Sequence, residues 1–154
     1  MKEYLQEAEE EMKRADHLIF VSLKYTRTVD ILKHTIDRLI ATFDNAFAGL
    51  LHKAKEQGKI NHIEISPIKI CDQMKHIYND NEFVLKYVEF YLLLRKISRA
   101  KYQKSNEYRR HLTMTAHLDN RDINIDIDTI NEYYKDTKAF ITYLEETHLI
   151  ETAK

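Results

Sequence analysis

In EYRRHLTMTAHLDNRDINIDID, residues 107–128, the apolar side chains change their period. Leu112, Met114, Ala116 and Leu118 alternate with Thr113, Thr115 and His117. Ile123, Ile125 and Ile127 alternate with Asn124, Asp126 and Asp128. A period of two sends successive side chains to opposite faces of a strand. The join, DNRD at 119–122, has the Asp and Asn residues that favour turns. Two alternating arms around such a join predict a β-hairpin over about 111–127.

Outside this stretch the period is helical. Downstream, a last helix is expected from near Asp128 or Thr129, carrying Ile130, Tyr133, Tyr134, Phe140, Ile141, Tyr143 and Leu144 and fraying after about Thr147. Upstream, 82–106 reads as one helix, with apolar residues on nearly every face of 83–94. That breadth implies burial on more than one side, or an interface with a second copy. Asn81 sits where its cap should be. Ser66 and Pro67 signal the start of a short helix running to about Tyr78. KINHIEI at 59–65 reads as loop.

A long helix over 29–57 buries a stripe from Leu32 to Ala54, with Thr28 as its N-cap and Gly58 where a C′ glycine belongs. The first helix, 3–25, carries Leu5, Ala8, Met12, Ala15, Ile19 and Leu23 on one face. The short YTRT link at 25–28 makes the first two helices an antiparallel pair. The expected fold is a single all-α domain over 1–154. Its core is an antiparallel four-helix bundle of the first, second, fourth and last helices, with an extra short helix and a β-hairpin before the last helix.

Composition excludes several function classes. Two glycines, Gly49 and Gly58, cannot build a glycine-rich phosphate loop or a dinucleotide fingerprint. One cysteine, Cys71, forms no intramolecular disulfide and no multi-cysteine zinc site. Its expected place is the apolar face of the short helix, as a buried structural thiol. A net charge of −1 argues against wholesale wrapping of nucleic acid but leaves room for a local basic patch. No apolar run is long enough to span a bilayer. The opening MKEYLQEAEEEMKRAD is too charged for a signal peptide, so a cytoplasmic setting is expected.

The densest candidate site is RKISRAKYQKSNEYRRH at 95–111. Arg95, Lys96, Arg99, Lys101, Lys104, Arg109 and Arg110 accompany one acid, Glu107, and Tyr102 and Tyr108 interleave with them. Cations suit phosphates and aromatic faces suit unpaired bases. Arg99, Lys101, Tyr102, Lys104, Arg109, Arg110 and His111 are therefore the candidate binding residues. The plainer reading is a solvated helix end whose cations suit the C-terminal dipole. No metal or cofactor is expected. A ferritin-like di-iron bundle needs two Glu-x-x-His pairs, and the sequence does not carry two. His34 with Asp37, and Asp72 with His76, are single pairs. DNRDINIDID lacks the glycine and final glutamate of a calcium loop.

The AEEEMKRADHL helix at 8–18, the AFAGLL segment at 46–51 and RHLTMTAH at 110–117 together resemble the HEPN superfamily of small prokaryotic all-α domains. The resemblance implies a metal-independent RNase, often a toxin paired with a nucleotidyltransferase-type antitoxin, or an inactive binding module. It also implies a homodimer whose sites pair across the interface. Arg110 would clamp phosphate and His117 would act as acid/base. On a helix, seven residues would put Arg110 and His117 on one face about 10 Å apart. On a strand they fall on opposite faces, roughly 24 Å apart. The alternation favours the strand and departs from the family's pattern, which points to a degenerate, non-catalytic member. Two readings stand: a binding or adaptor module contacting RNA or nucleotide through 95–111, and an RNase using Arg110 and His117.

Overall fold

The computed structural model describes residues 2–147 and Leu149. The chain is mainly helical, with a small antiparallel sheet before its last helix. Helix α1 (Lys2–His17) runs through a π-helical turn (Leu18–Ser22) into a final turn, α2 (Leu23–Tyr25). The predicted stripe from Leu5 to Leu23 is buried throughout. The π turn follows from its spacing. Ala15, Ile19 and Leu23 are four apart, more than one α-helical turn each. A wider turn, in which the Leu23 N–H donates to the Leu18 carbonyl, keeps all three on the buried face.

Helix α3 (Val29–Glu56) is the central element, and α1, α5 (Glu82–Arg99) and α6 (Ile127–Thr147) all pack against it. Helix α4 (Pro67–Ile77) packs on α5 and α3. Gly58, at φ +75°, ends α3. The Lys59 N–H donates to the Ala54 carbonyl at 2.9 Å and the Gly58 N–H to the Lys55 carbonyl at 3.0 Å, a Schellman motif. Phe43, Phe47, Tyr87, Tyr91 and Phe140 form the aromatic centre of the core, with ring centroids 5.1–6.2 Å apart.

Three capping expectations resolve differently. Asn81 caps α5, its Oδ1 accepting the Val84 N–H at 3.1 Å. Ser66 has an extended backbone ahead of Pro67, but its hydroxyl makes no cap bond. Thr28 also makes none. The Val29 N–H instead donates to the carboxylate of Glu107, 3.0 Å away.

The fourth helix is shorter than its expected span of 82–106. It ends at Arg99, Ala100 turns extended at ψ 151°, and Lys101–Ser105 form strand β1. The physical reason is the loss of an apolar stripe after Ile97. Helices in proteins persist mainly through a packed face, and KYQKS offers only Tyr102. The hairpin therefore becomes a three-stranded sheet in the order β1-β2-β3, with β2 at Thr113–His117 and β3 at Asp122–Asp126.

Register follows the alternation. Met114, Ala116 and Ile125 turn inward and are fully buried. The outward rows are Lys101–His117–Asp122, Gln103–Thr115–Asn124 and Ser105–Thr113–Asp126. Asp126 then caps α6, accepting the Thr129 N–H at 2.8 Å and its hydroxyl at 2.9 Å. The expected fraying after Thr147 lies outside the described residues.

The apolar breadth of α5 is used within the chain. Its Val84, Tyr87, Val88, Tyr91, Leu94 and Ile97 are buried, and Phe83, Phe90, Leu92 and Leu93 pack against the same core. Among the described residues, the large apolar side chains left exposed are Phe20, Val21, Tyr25, Ile65, Ile68 and Tyr108, none of them on α5.

Candidate nucleic-acid interface

The basic stretch 95–111 does not form one surface. Its first third lies on the last turns of α5. There Arg95 donates to the Tyr91 hydroxyl at 3.2 Å and stands 3.9 Å from Asp44. The Tyr91 hydroxyl donates to Asp44 at 2.5 Å, and burial holds the Tyr91 phenol well above its usual range. Burial also raises the Asp44 carboxyl. Arg99 lines a separate groove between α4 and α5. Lys101, Tyr102 and Lys104 lie on β1. The Lys33 ammonium sits 4.9 Å from the centre of the Tyr102 ring, so this tyrosine is engaged by α3. Lys104 stands 3.9 Å from both Asp30 and Glu107.

The remaining third, Arg109, Arg110 and His111, occupies the loop between β1 and β2 and is exposed. That loop is tightly determined. Asn106 and Tyr108 take positive φ, +57° and +67°. Left-handed backbone at non-glycine residues costs on the order of 1–3 kcal/mol and persists only where surroundings impose it. Here the Tyr108 N–H donates to the Arg27 carbonyl at 2.6 Å, and the Arg109 N–H to the Asn106 carbonyl at 3.1 Å. Glu107 is fixed to the start of α3, and Leu112, fully buried, anchors the loop's far end. The result is a fixed backbone that leaves Tyr108 74% exposed, with two arginines following it.

Beside it lies a cavity of about 420 Å³ lined by Arg27, Arg110, His111, Thr113, Asp126 and Asp128. Asp126 is committed to the α6 cap, and the Thr129 backbone N–H holds its carboxyl below the usual range. Arg27, from the YTRT link, carried no sequence signal for this site. It arrives because its carbonyl receives Tyr108.

His117 is elsewhere. It lies at the opposite end of β2 on the outward face, its Nδ1 2.8 Å from Asp122 Oδ1. The five residues of β2 span about 17 Å, and the cavity that Arg110 lines does not include His117. One chain does not bring these two side chains together. The outward Lys101 is the cation paired across from His117.

No group of three or more His, Cys, Asp or Glu side chains able to hold a metal occurs among the described residues. Asp37, paired with His34 in the sequence, accepts the Ser98 hydroxyl at 2.9 Å. Cys71 is buried, and burial pushes its thiol up to about 11, which keeps it protonated and unreactive at neutral pH. No helix among the described residues is long and apolar enough to cross a membrane. No protein-family model, curated protein or solved structure matches the chain significantly.

Proposed function

We propose that this protein is a helical binding module of the cytoplasm that takes RNA or nucleotide at the loop between β1 and β2. An antiparallel bundle of α1, α3, α5 and α6 is its scaffold. The observation that carries the reading is Tyr108, held at φ +67°, 74% exposed and followed by Arg109, Arg110 and His111. An exposed aromatic on a fixed backbone is a stacking surface for an unpaired base, and neighbouring guanidiniums suit the flanking phosphates. Arg27 and Arg110 extend that cationic edge into the adjoining cavity. The test is retention of labelled single-stranded RNA at low and moderate salt by wild type and by R109Q/R110Q. Salt-sensitive retention that drops in the variant supports the reading. Equal retention by both, or none, removes it.

A second reading rests on the His117–Asp122 contact of 2.8 Å. A carboxylate that orients an imidazole is a recurrent feature of general-base sites. As a HEPN-type RNase, the protein would need Arg110 from a second copy to reach His117, and hence a homodimer. A nucleotidyltransferase-type antitoxin would then be its partner. Incubation with RNA in EDTA decides the matter. Cleavage that vanishes in H117A supports the nuclease, and absent or unchanged cleavage ends it.

A further inference from the structure

The α5 end of the basic stretch, left out of the loop site, faces a groove of its own. Four cations, Lys75, Arg95, Lys96 and Arg99, surround a cavity of about 340 Å³ whose lining includes one acid, Asp72. Its floor and wall are apolar: Pro67, Ile68, Cys71 and Leu92. Ile68 is 64% exposed, and Ile65, just before α4, is 92% exposed.

The cations divide by commitment. Lys75 pairs with Glu89 at 2.8 Å, and Arg95 is held by Tyr91 and Asp44. Lys96 and Arg99 have no hydrogen-bond or ion-pair partner among the described residues. The groove between α1 and α3 is the contrast. There Lys13 meets Glu10 at 3.3 Å, while Arg14 and Arg38 both meet Glu11, at 2.6 and 3.0 Å. The α4–α5 groove, by contrast, combines two uncommitted cations with an apolar bed.

We propose that the groove between α4 and α5 binds a small amphiphilic anion, a phosphate or carboxylate headgroup carried on an aliphatic tail. Lys96 and Arg99 take the headgroup, and Ile68 and Leu92 cover the tail. The volume suits a small ligand, and a mostly apolar pocket with a few placed polar groups is the usual form of such sites. A bare phosphate would leave the apolar bed uncovered. A neutral lipid chain would leave the two cations unanswered. This inference is independent of the RNA site, which lies on the loop between β1 and β2.

The test is calorimetric titration at low salt with decyl phosphate and decanoate below their micellar range. Inorganic phosphate and vesicles of phosphatidylcholine with phosphatidylglycerol serve as separate arms. One-site binding is expected for the decyl anions, weakened about tenfold or more in K96Q/R99Q as charge-assisted hydrogen bonds are removed. I68N should weaken the decyl anions and leave inorganic phosphate unchanged. All three positions are exposed, so unfolding midpoints should match wild type and folding does not confound the result. The proposal is overturned if decyl phosphate shows no saturable binding or if the double variant binds it like wild type. Inorganic phosphate binding as tightly as decyl phosphate would overturn it too, as would binding of the vesicles without the monomeric anion.

Discussion

The carboxylate of Glu107 accepts the N–H of Val29, 78 residues earlier in the chain, at 3.0 Å. One side chain thereby caps the longest helix and fixes the loop that presents Tyr108. Removing a side-chain cap typically costs about 1 kcal/mol. Glu107→Ala should therefore lower the melting temperature by roughly 2–4 °C for a chain of this size. Glu107→Gln keeps an acceptor oxygen and should lose less. Thermal unfolding of the two variants checks this, and equal losses would show that the cap bond itself contributes nothing.

Gly58 makes a similar test at the other end of α3. A Cβ there would meet nothing within 4 Å, so the whole cost of Gly58→Ala comes from its φ of +75°. Loss of about 1 kcal/mol is expected. Gly58→Asn should lose less, since asparagine tolerates the left-handed region. Urea denaturation with unchanged slope would report this difference as stability alone.

These two helix ends show what was legible in the sequence. The Gly58 terminus is local: an apolar stripe, then a glycine, reads directly. The Glu107 cap joins distant segments, and nothing near Thr28 announces it. The same division runs through the site. The β2–β3 pair was legible because Met114, Ala116, Ile123 and Ile125 alternate around turn residues. β1 was not, because Lys101–Ser105 holds one aromatic and no alternation, and its strand form comes from pairing with β2. Arg110 and His111 were legible as basic candidates. Arg27, and the positive φ that turns Tyr108 outward, depend on contacts across the fold.

Glu11 places a nearly buried carboxylate between two arginines that remain half exposed. The Arg14 and Arg38 contacts are 2.6 and 3.0 Å. Breaking a pair is harmful chiefly when it strands a buried charge. Arg14→Ala with Arg38→Ala strands the carboxylate and should cost more than about 1 kcal/mol. Glu11→Leu leaves only solvated guanidiniums and should come close to wild type. Chemical denaturation of both variants tests the asymmetry, and a larger loss for Glu11→Leu would reverse the argument.

Asp126 gives the fold a pH dependence of known sign. Its folded carboxyl is held below its ordinary value by the Thr129 backbone N–H. The folded state therefore binds the proton less readily than the unfolded chain, and the cap's stabilisation is complete above about pH 4. It fades as pH falls through the lowered value. Asp126→Ala should cost about 1 kcal/mol at pH 7 and progressively less in acid. The gap between the two proteins' denaturation curves should be narrower at pH 3 than at pH 7, and a difference that grew in acid would contradict the assignment.

Tyr108 carries the sharpest expectation about function. Base stacking on an aromatic contributes about 1–3 kcal/mol per base. Tyr108→Ala should thus weaken single-stranded RNA binding by roughly 5- to 150-fold, while Tyr108→Phe keeps most of it. The effect should be nearly independent of salt, because stacking releases no counterions. Arg109→Gln with Arg110→Gln should act in the other way, flattening the dependence of affinity on salt by a slope of about 1.4, about 0.7 for each phosphate no longer neutralised. His117→Ala lies at the far end of β2 and should change neither quantity. Fluorescence anisotropy across a salt series separates these three behaviours. A His117 variant that weakened binding as much as the Tyr108 variant would move the interface from the loop to the outward face of the sheet.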